Sequence, residues 1–136
     1  MVSGLEAFAS ENISLALLYR NYQRNYIAPF GRAFGENSMN NNEEGFYAGV
    51  NYSLPWNLKI SAYADLFRFP WMKYRVDGPS RGRDFFVQTD YTPSRKFNMY
   101  LKYKQETKGL NYEDETTTVN LIKDASLHRL RYHVNY

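Results

Sequence analysis

The sequence contains no cysteine, only two histidines and no long apolar run in its 136 residues. The lack of cysteine excludes disulfide frameworks, thiolate metal sites and thiol nucleophiles. No apolar stretch approaches the roughly 18–20 residues of a membrane-spanning helix, so a helical membrane protein is excluded while a membrane β-barrel is not. The first residues, 1–6, have neither a basic segment nor an apolar core, so no signal peptide is visible.

Charge is modest, whereas aromatic rings are abundant. A net charge of +3 with 23% charged residues is too mild to indicate a nucleic-acid partner, and the basic residues are spread along the chain. Hydrophobic residues reach 43%, which predicts a folded protein. Aromatic residues account for 18%, yet mean hydropathy is −0.64. Rings and polar residues must therefore alternate at short range.

A period of two dominates the chain and predicts β-strands with one apolar face. In residues 46–54, Phe46, Ala48 and Val50 alternate with mixed or polar positions. In residues 13–27 the alternation is interrupted by Leu18 and Tyr22. The predicted strands are 13–27, 44–54, 58–69, 84–92, 97–106 and 126–136.

The connections between these strands alternate between long and short. The short ones are Pro55–Asn57 and Pro93–Arg95, and the long ones are Pro29–Glu43, Pro70–Gly82 and Thr107–Ala125. Outer-membrane β-barrels have short periplasmic turns and long external loops. The pattern therefore predicts an all-β fold, an antiparallel up-and-down meander of about six strands that forms a segment of a transmembrane outer-membrane β-barrel.

Aromatic residues also lie near both predicted strand ends, as the two interfacial girdles of such barrels require. Trp56 and Tyr136 lie towards the short turns. Phe67, Phe69 and Trp71 lie towards the long loops. We expect these rings to mark the two membrane interfaces.

A soluble antiparallel β-barrel or sandwich that binds a small apolar ligand is the alternative, because alternation by itself does not identify the solvent. The second face of the strands distinguishes the two classes. Tyr47, Tyr63 and Phe86 lie there beside Lys59 and Asp65. A solvated face rarely carries so many rings, whereas a wide polar lumen tolerates them. The sequence favours the membrane barrel, with a structural, pore, transport or secretion role.

Two stretches, Tyr63–Val76 and Tyr91–Arg95, resemble the C-terminal barrel of a family of Bacteroidota outer-membrane proteins. These proteins are described as helix-hairpin-helix domain-containing because a module of that type precedes the barrel. The resemblance covers about residues 13–136 and implies a location in the bacterial outer membrane. No helix-hairpin-helix segment is present here, so the DNA-binding role implied by that module transfers to no residue.

Six strands do not suffice to close a barrel, since the smallest single-chain bacterial examples have eight. Unclosed strand edges would leave backbone amides unpaired in lipid. With no visible signal peptide, we expect a fragment of a larger barrel. Its partners would be outer-membrane lipid and the rest of the barrel, supplied by a longer chain or by other subunits.

Candidate functional residues follow from the two faces. A basic loop containing Arg75, Arg81 and Arg83 could grip phosphate, including that of lipopolysaccharide, although a solvated surface loop is the simpler interpretation. The predicted lumen-facing residues are Lys59, Asp65, Asp90, Lys102, Lys104, Arg129 and Arg131.

Catalytic, cofactor and metal sites are not predicted. His128 and His133 fall on opposite faces of one strand, so they do not converge on a metal. The acidic run Glu113–Glu115 matches no defined calcium loop. Ser61 lacks a nucleophile elbow and lies three strands before His133, so we expect no enzyme activity.

The turn Pro55–Asn57 also predicts the register of its hairpin. Leu54 and Leu58 become the closing pair, which places Gly49 opposite Tyr63 and continues to the pair of residues 45 and 67. We expect each ring to cover the bare backbone of the glycine opposite it. A slip of two residues preserves the faces and is the competing register.

Overall fold

The computed structural model of the chain describes residues 1–27, 34–37, 39, 41–113 and 120–136, which form one seven-stranded antiparallel sheet in sequence order. Among the described residues no helix has the length and hydropathy needed to span a membrane. The strands are β1 (Val2–Ser10), β2 (Ile13–Tyr22), β3 (Glu43–Leu54), β4 (Leu58–Phe69), β5 (Ser80–Ser94), β6 (Phe97–Tyr112) and β7 (Leu121–Asn135).

The predicted all-β meander is confirmed, but it has seven strands rather than six. The additional strand is β1, which pairs with β2 from Val2 opposite Arg20 to Phe8 opposite Ser14. The sequence does not reveal β1 as a strand, because small residues and Glu6 give little contrast between its two faces. Within the described residues β1 pairs only with β2 and β7 only with β6, so the sheet is not closed into a barrel.

Several predicted strand ends are wrong. The first predicted strand stops at Tyr22 rather than at residue 27. Conversely, residues 80–83, 107–112 and 121–125, which were predicted to lie in loops, continue the antiparallel ladder. These extensions mix charged, small and large apolar residues on both faces, so they show no consistent contrast between the faces. Backbone pairing extends them nonetheless, since the ladder does not need an apolar face.

The predicted register of the β3–β4 hairpin is confirmed. Leu54 lies opposite Leu58, Gly49 opposite Tyr63, and the ladder continues without a shift to Glu44 and Arg68. The turn itself is a short 3₁₀ segment in which Trp56 has a φ of 65°. The slip of two residues is therefore excluded as the register of this structure.

The expected covering of the two glycines is wrong. A Cβ atom added to Gly45 would lie 2.5 Å from Cζ of Arg20, and one added to Gly49 would lie 2.7 Å from the hydroxyl oxygen of Tyr47. The ring of Phe67 covers Gly82 on the following strand instead. Each central-strand glycine has neighbours on both sides, and a group other than the predicted ring takes the space. Arg20 lies opposite Gly45 on β2, Phe67 lies opposite Gly82 on β5, and Tyr47 is two residues from Gly49 on the same face of β3.

The two faces of the sheet have an unusual burial pattern. We call the side that bears Arg20, Asp65 and Lys104 the polar face, and the side that bears Ala62 and Leu101 the apolar face; the register keeps each set on one side. On the polar face the side chains that are at most 4% exposed include four charged ones, Arg20, Glu43, Asp65 and Asp84, beside the rings of Phe67 and Phe69. On the apolar face large hydrophobic side chains are exposed, and Leu101 retains 48% of its accessible surface. A soluble sheet shows the reverse pattern.

Candidate functional site on the polar face

A buried ion cluster lies at the long-loop end of the polar face. Arg20 of β2 is fully buried, and its Nε donates to Oε1 of Glu43 at 2.6 Å. Its two terminal nitrogens donate to the carboxylate of Asp65 in a bidentate arrangement, at 2.8 and 3.1 Å. Gly45 makes this possible, because it lies opposite Arg20 and offers bare backbone beneath the guanidinium. The cluster holds β2, β3 and β4 together.

The same cluster anchors part of the β2–β3 connection over the polar face. The backbone amides of Glu36 and Asn37 donate to Oε2 of Glu43 at 2.9 and 3.0 Å. The ring of Phe34 lies 5.1 Å from the Arg20 guanidinium and meets the Tyr47 ring edge-on at 5.2 Å. Residues 34–37 therefore fold inward against the sheet.

Asn42 joins this connection to the one between β4 and β5. Its side-chain amide donates to the backbone oxygens of Trp71 and Met72 at 2.9 and 3.2 Å, and its side-chain oxygen accepts from the Trp71 amide at 3.0 Å. Its φ of 52° lies in the left-handed region, which asparagine tolerates better than most residues. One buried side chain thus fixes two connections at the same end of the sheet.

Lys73 packs beside this junction. Its ammonium lies 3.5 Å from the centre of the Phe69 ring. Burial lowers the pKa of Lys73, and the positive charge of Lys108 lowers it further. Lys108 itself contacts Glu36 at 2.9 Å and Glu106 at 2.5 Å, so a second cation ties the inward segment to β6.

Stacked rings continue the site across the sheet. Tyr47 and Tyr63 lie 5.4 Å apart, and Tyr63 stacks on Phe86 at 4.9 Å. Lys102 places its ammonium 5.0 Å from the Phe86 ring. Successive strands thus present a ladder of rings that ends in a cation, which gives this face both apolar bulk and charge.

The seven residues predicted to face a lumen all lie on the polar face. Asp65 belongs to the buried cluster, and Lys104 contacts Asp84 at 2.7 Å. The register places Lys59 opposite Asp90, Lys102 opposite Arg131, and Lys104 opposite Arg129. The two lysine–arginine pairs make the polar face of β6 and β7 strongly positive, whereas most acidic residues of this face lie on β3 to β5.

Sequence reasoning missed Arg20, Glu43 and Asp84. Arg20 lies in the strand whose alternation is interrupted by Leu18 and Tyr22; these interruptions are the polar-face positions of β2. Glu43 was assigned to a loop, although it is the first residue of β3. A buried charge leaves no periodic signal, so only its convergence with partners from other strands reveals it.

Two of the predicted loop arginines belong to a strand. Arg81 and Arg83 lie in β5 on the apolar face, opposite Arg68 and Leu66 respectively. Arg75 is in the β4–β5 connection, with its guanidinium 5.6 Å from the centre of the neighbouring tyrosine ring. The three arginines therefore do not form one basic loop.

Phe67 and Phe69 lie at the long-connection end of β4, but their rings are not on the apolar face. Both lie on the polar face and are buried. The reason is register, because Phe67 lies between Gly45 and Gly82, which leave room for its ring.

Within the described ranges, no group of three or more histidine, aspartate or glutamate side chains is arranged to hold a metal ion. His128 lies opposite Gln105 and accepts or donates a hydrogen bond with Tyr103 at 2.9 Å. His133 lies on the polar face, where its ring stacks on the ring of Tyr100 with the ring centres 5.2 Å apart. Most of the acidic run 113–115 lies outside the described residues.

No family model matches the chain, and comparisons with curated proteins and with solved structures find no match.

Proposed function

We propose that this chain is part of an outer-membrane β-barrel, with the apolar face towards lipid and the polar face lining a lumen. The observation that carries the proposal is the inverted burial. Arg20, Glu43 and Asp65 are at most 3% exposed, whereas Leu101 and Leu130 are 48% and 72% exposed. Exposed leucines along a whole sheet face cost free energy in water and are favoured in hydrocarbon.

The connections support the same class, in which the longer connections lie outside the cell. All turns at one end are short, as at Pro55–Asn57, and the longer connections lie at the other end. The extensions of β5, β6 and β7 are also at the long-connection end, where outer-membrane barrels carry their longer extracellular loops. The resemblance of Tyr63–Val76 and Tyr91–Arg95 to Bacteroidota outer-membrane barrels favours the same class and location.

We further propose a structural or transport role in which residues 34–37 narrow the lumen. The backbone amides of Glu36 and Asn37 bind Glu43 of β3, and Lys108 of β6 binds the Glu36 side chain across the same polar face. A segment fixed at both sides of a polar face reduces the free cross-section beside it. The lumen that remains would be lined by rings and by charges of both signs, which argues against strong ion selectivity.

Strand direction limits how such a barrel closes. Seven antiparallel strands leave the two edge strands, β1 and β7, pointing the same way. Joining β7 to β1, in one chain or between copies in a ring, would create a parallel pair, whereas bacterial barrels are antiparallel with an even strand number. We therefore propose that an odd number of additional strands, from a longer chain or a different subunit, pairs with these edges.

Spin labels on β6 test the lipid-facing assignment. The chain lacks cysteine, so single cysteines at positions 99–104 need no background removal. After insertion into phosphatidylcholine vesicles, labels at odd positions should collide with oxygen, which concentrates in lipid. Labels at even positions should collide with a water-soluble nickel chelate instead.

The opposite outcome is equally clear. A chain that remains folded and monomeric in aqueous buffer without detergent or lipid would overturn the proposal. Loss of the odd–even alternation in the vesicle-bound chain would also overturn it. The soluble class predicts an apolar face covered by protein, and hence low accessibility to both reagents at odd positions.

A further inference from the structure

A cavity of about 710 Å³ opens on the apolar face at the long-connection end of the strands. Its lining changes along the strand direction. Arg68 and Arg81 form the pair nearer the strand ends, and the next pair on this face towards the middle of the sheet is Leu66 and Arg83, with Phe46 opposite Leu66 on β3. Charged and apolar walls thus meet within one depression.

The arginines are arranged in an unfavourable way unless an anion joins them. Arg68 and Arg81 occupy directly opposite positions on β4 and β5, and like charges so placed repel. Arg68 is compensated by Glu44, whose carboxylate lies 2.6 Å from its Nη2. Among the described residues neither Arg81 nor Arg83 has an ion-pair partner within 4 Å.

Glu44 and a second carboxylate, that of Asp124, also line the cavity. Asp124 lies on β7 opposite Gly109 of β6, so the whole of β6 lies between Asp124 and the arginines of β5. Adjacent strands lie roughly 4.8 Å apart, so the Asp124 backbone is about two strand spacings from that of β5. Two uncompensated guanidinium groups therefore face one distant carboxylate, and the cavity retains positive charge.

We infer that this cavity binds the phosphorylated head of an outer-leaflet glycolipid of the lipid A type, with an acyl chain lying against Phe46 and Leu66. The inference rests on the proposed function, which places the apolar face in lipid and the long connections outside. Guanidinium groups bind phosphate oxygens bidentately, and Arg81 and Arg83 lie on the same strand face two residues apart. Arg81 lies at the strand end and Arg83 lies beside Leu66, so the two guanidinium groups reach a phosphate at the point where the head and the acyl chains of the lipid join.

The test measures lipid binding to the detergent-solubilised chain by native mass spectrometry. Lipid A with two phosphates, its dephosphorylated form, phosphatidylglycerol and inorganic phosphate are titrated separately. The double variant Arg81→Gln/Arg83→Gln should bind lipid A at least about tenfold more weakly, since a charged hydrogen bond contributes a factor of roughly this size. The control Arg95→Gln/Lys96→Gln removes equal charge at the opposite end of the sheet and should not change the affinity.

Each arm of this experiment has a decisive result. Dephosphorylated lipid A should bind the unaltered chain as weakly as lipid A binds the Arg81/Arg83 variant, and inorganic phosphate alone should bind least. Equal binding of lipid A by the unaltered chain and the variant would overturn the site. Equal affinity for phosphatidylglycerol and lipid A would overturn the glycolipid assignment.

Vesicle insertion separates this inference from the proposed function. A chain that inserts into phosphatidylcholine vesicles but shows no preference for lipid A contradicts only the glycolipid site. Failure to insert, with the apolar face protected in water, contradicts the proposed function and the site together.

Discussion

Replacing Arg20 by methionine should destabilise the protein strongly. Methionine has similar length but leaves the carboxylates of Glu43 and Asp65 buried without their counter-charge. Removing one partner of a buried ion pair costs about 3–5 kcal/mol, because an uncompensated charge stays out of water. Here the guanidinium is fully buried and makes three hydrogen bonds of 2.6–3.1 Å, so we expect a loss within that range.

The measurement is a urea titration of the chain refolded into phosphatidylcholine vesicles, followed by tryptophan fluorescence. Trp56 and Trp71 are the only tryptophans, and they lie at opposite ends of the sheet. A loss of this size lowers the equilibrium constant for folding by roughly two to nearly four orders of magnitude. The midpoint should therefore fall sharply with an unchanged slope.

Arg68→Met is the matched control. Arg68 also contacts a carboxylate at 2.6 Å, that of Glu44, but its side chain is 67% exposed. Exposed ion pairs contribute about 0–1 kcal/mol, so this variant should unfold close to the unaltered chain. The contrast between the two arginines isolates the effect of burial from the effect of losing a guanidinium.

A triple variant, Arg20→Met/Glu43→Gln/Asp65→Asn, completes the argument. The triple variant removes the uncompensated charges and leaves only neutral amides in the cluster, which cost less to bury than a carboxylate does, so it should be more stable than Arg20→Met. If Arg20→Met costs less than about 1 kcal/mol, or if the triple variant is as unstable as the single one, the reasoning about an uncompensated buried charge is wrong.

Three further predictions address the backbone, the lipid face and the loop junction. Gly45→Ala should lower the free energy of unfolding by at least about 1 kcal/mol, because the new methyl group displaces the Arg20 guanidinium. Gly4→Ala is the control and should be tolerated, because a Cβ atom at Gly4 meets nothing closer than 3.6 Å. Equal urea midpoints for the two variants would contradict this prediction. Ala62→Arg should cost roughly 2–4 kcal/mol in vesicles, the penalty for a cation near the bilayer midplane, and Ser61→Arg on the polar face should cost much less; similar costs would mean that the faces are misassigned. Asn42→Ala should make residues 70–79 more sensitive to protease than Asn42→Gly does. Both variants lose the hydrogen bonds to Trp71 and Met72, but only alanine strains the left-handed backbone at position 42. Identical cleavage rates would show that this strain is unimportant.

The fold class and one complete hairpin follow from the order of residues along the chain. Strict alternation over several segments leaves only strands, and short turns between them leave only an antiparallel meander. The register of β3 and β4 followed from a three-residue turn and the matching of faces, because a one-residue slip would reverse every side chain. These features are local, so the order of residues along the chain is sufficient to encode them.

The seventh strand, the strand extensions and the buried cluster were decided only by tertiary structure. β1 lacks contrast between its faces and is ordered by pairing with β2. Arg20, Glu43 and Asp65 come from three strands, and no spacing along the chain shows that they converge. The same holds for Arg81 and Arg83, whose sequence suggested a loop until the ladder placed them on the apolar face. Contacts between distant residues depend on how the strands twist and lean over one another, and that geometry is a property of the whole sheet.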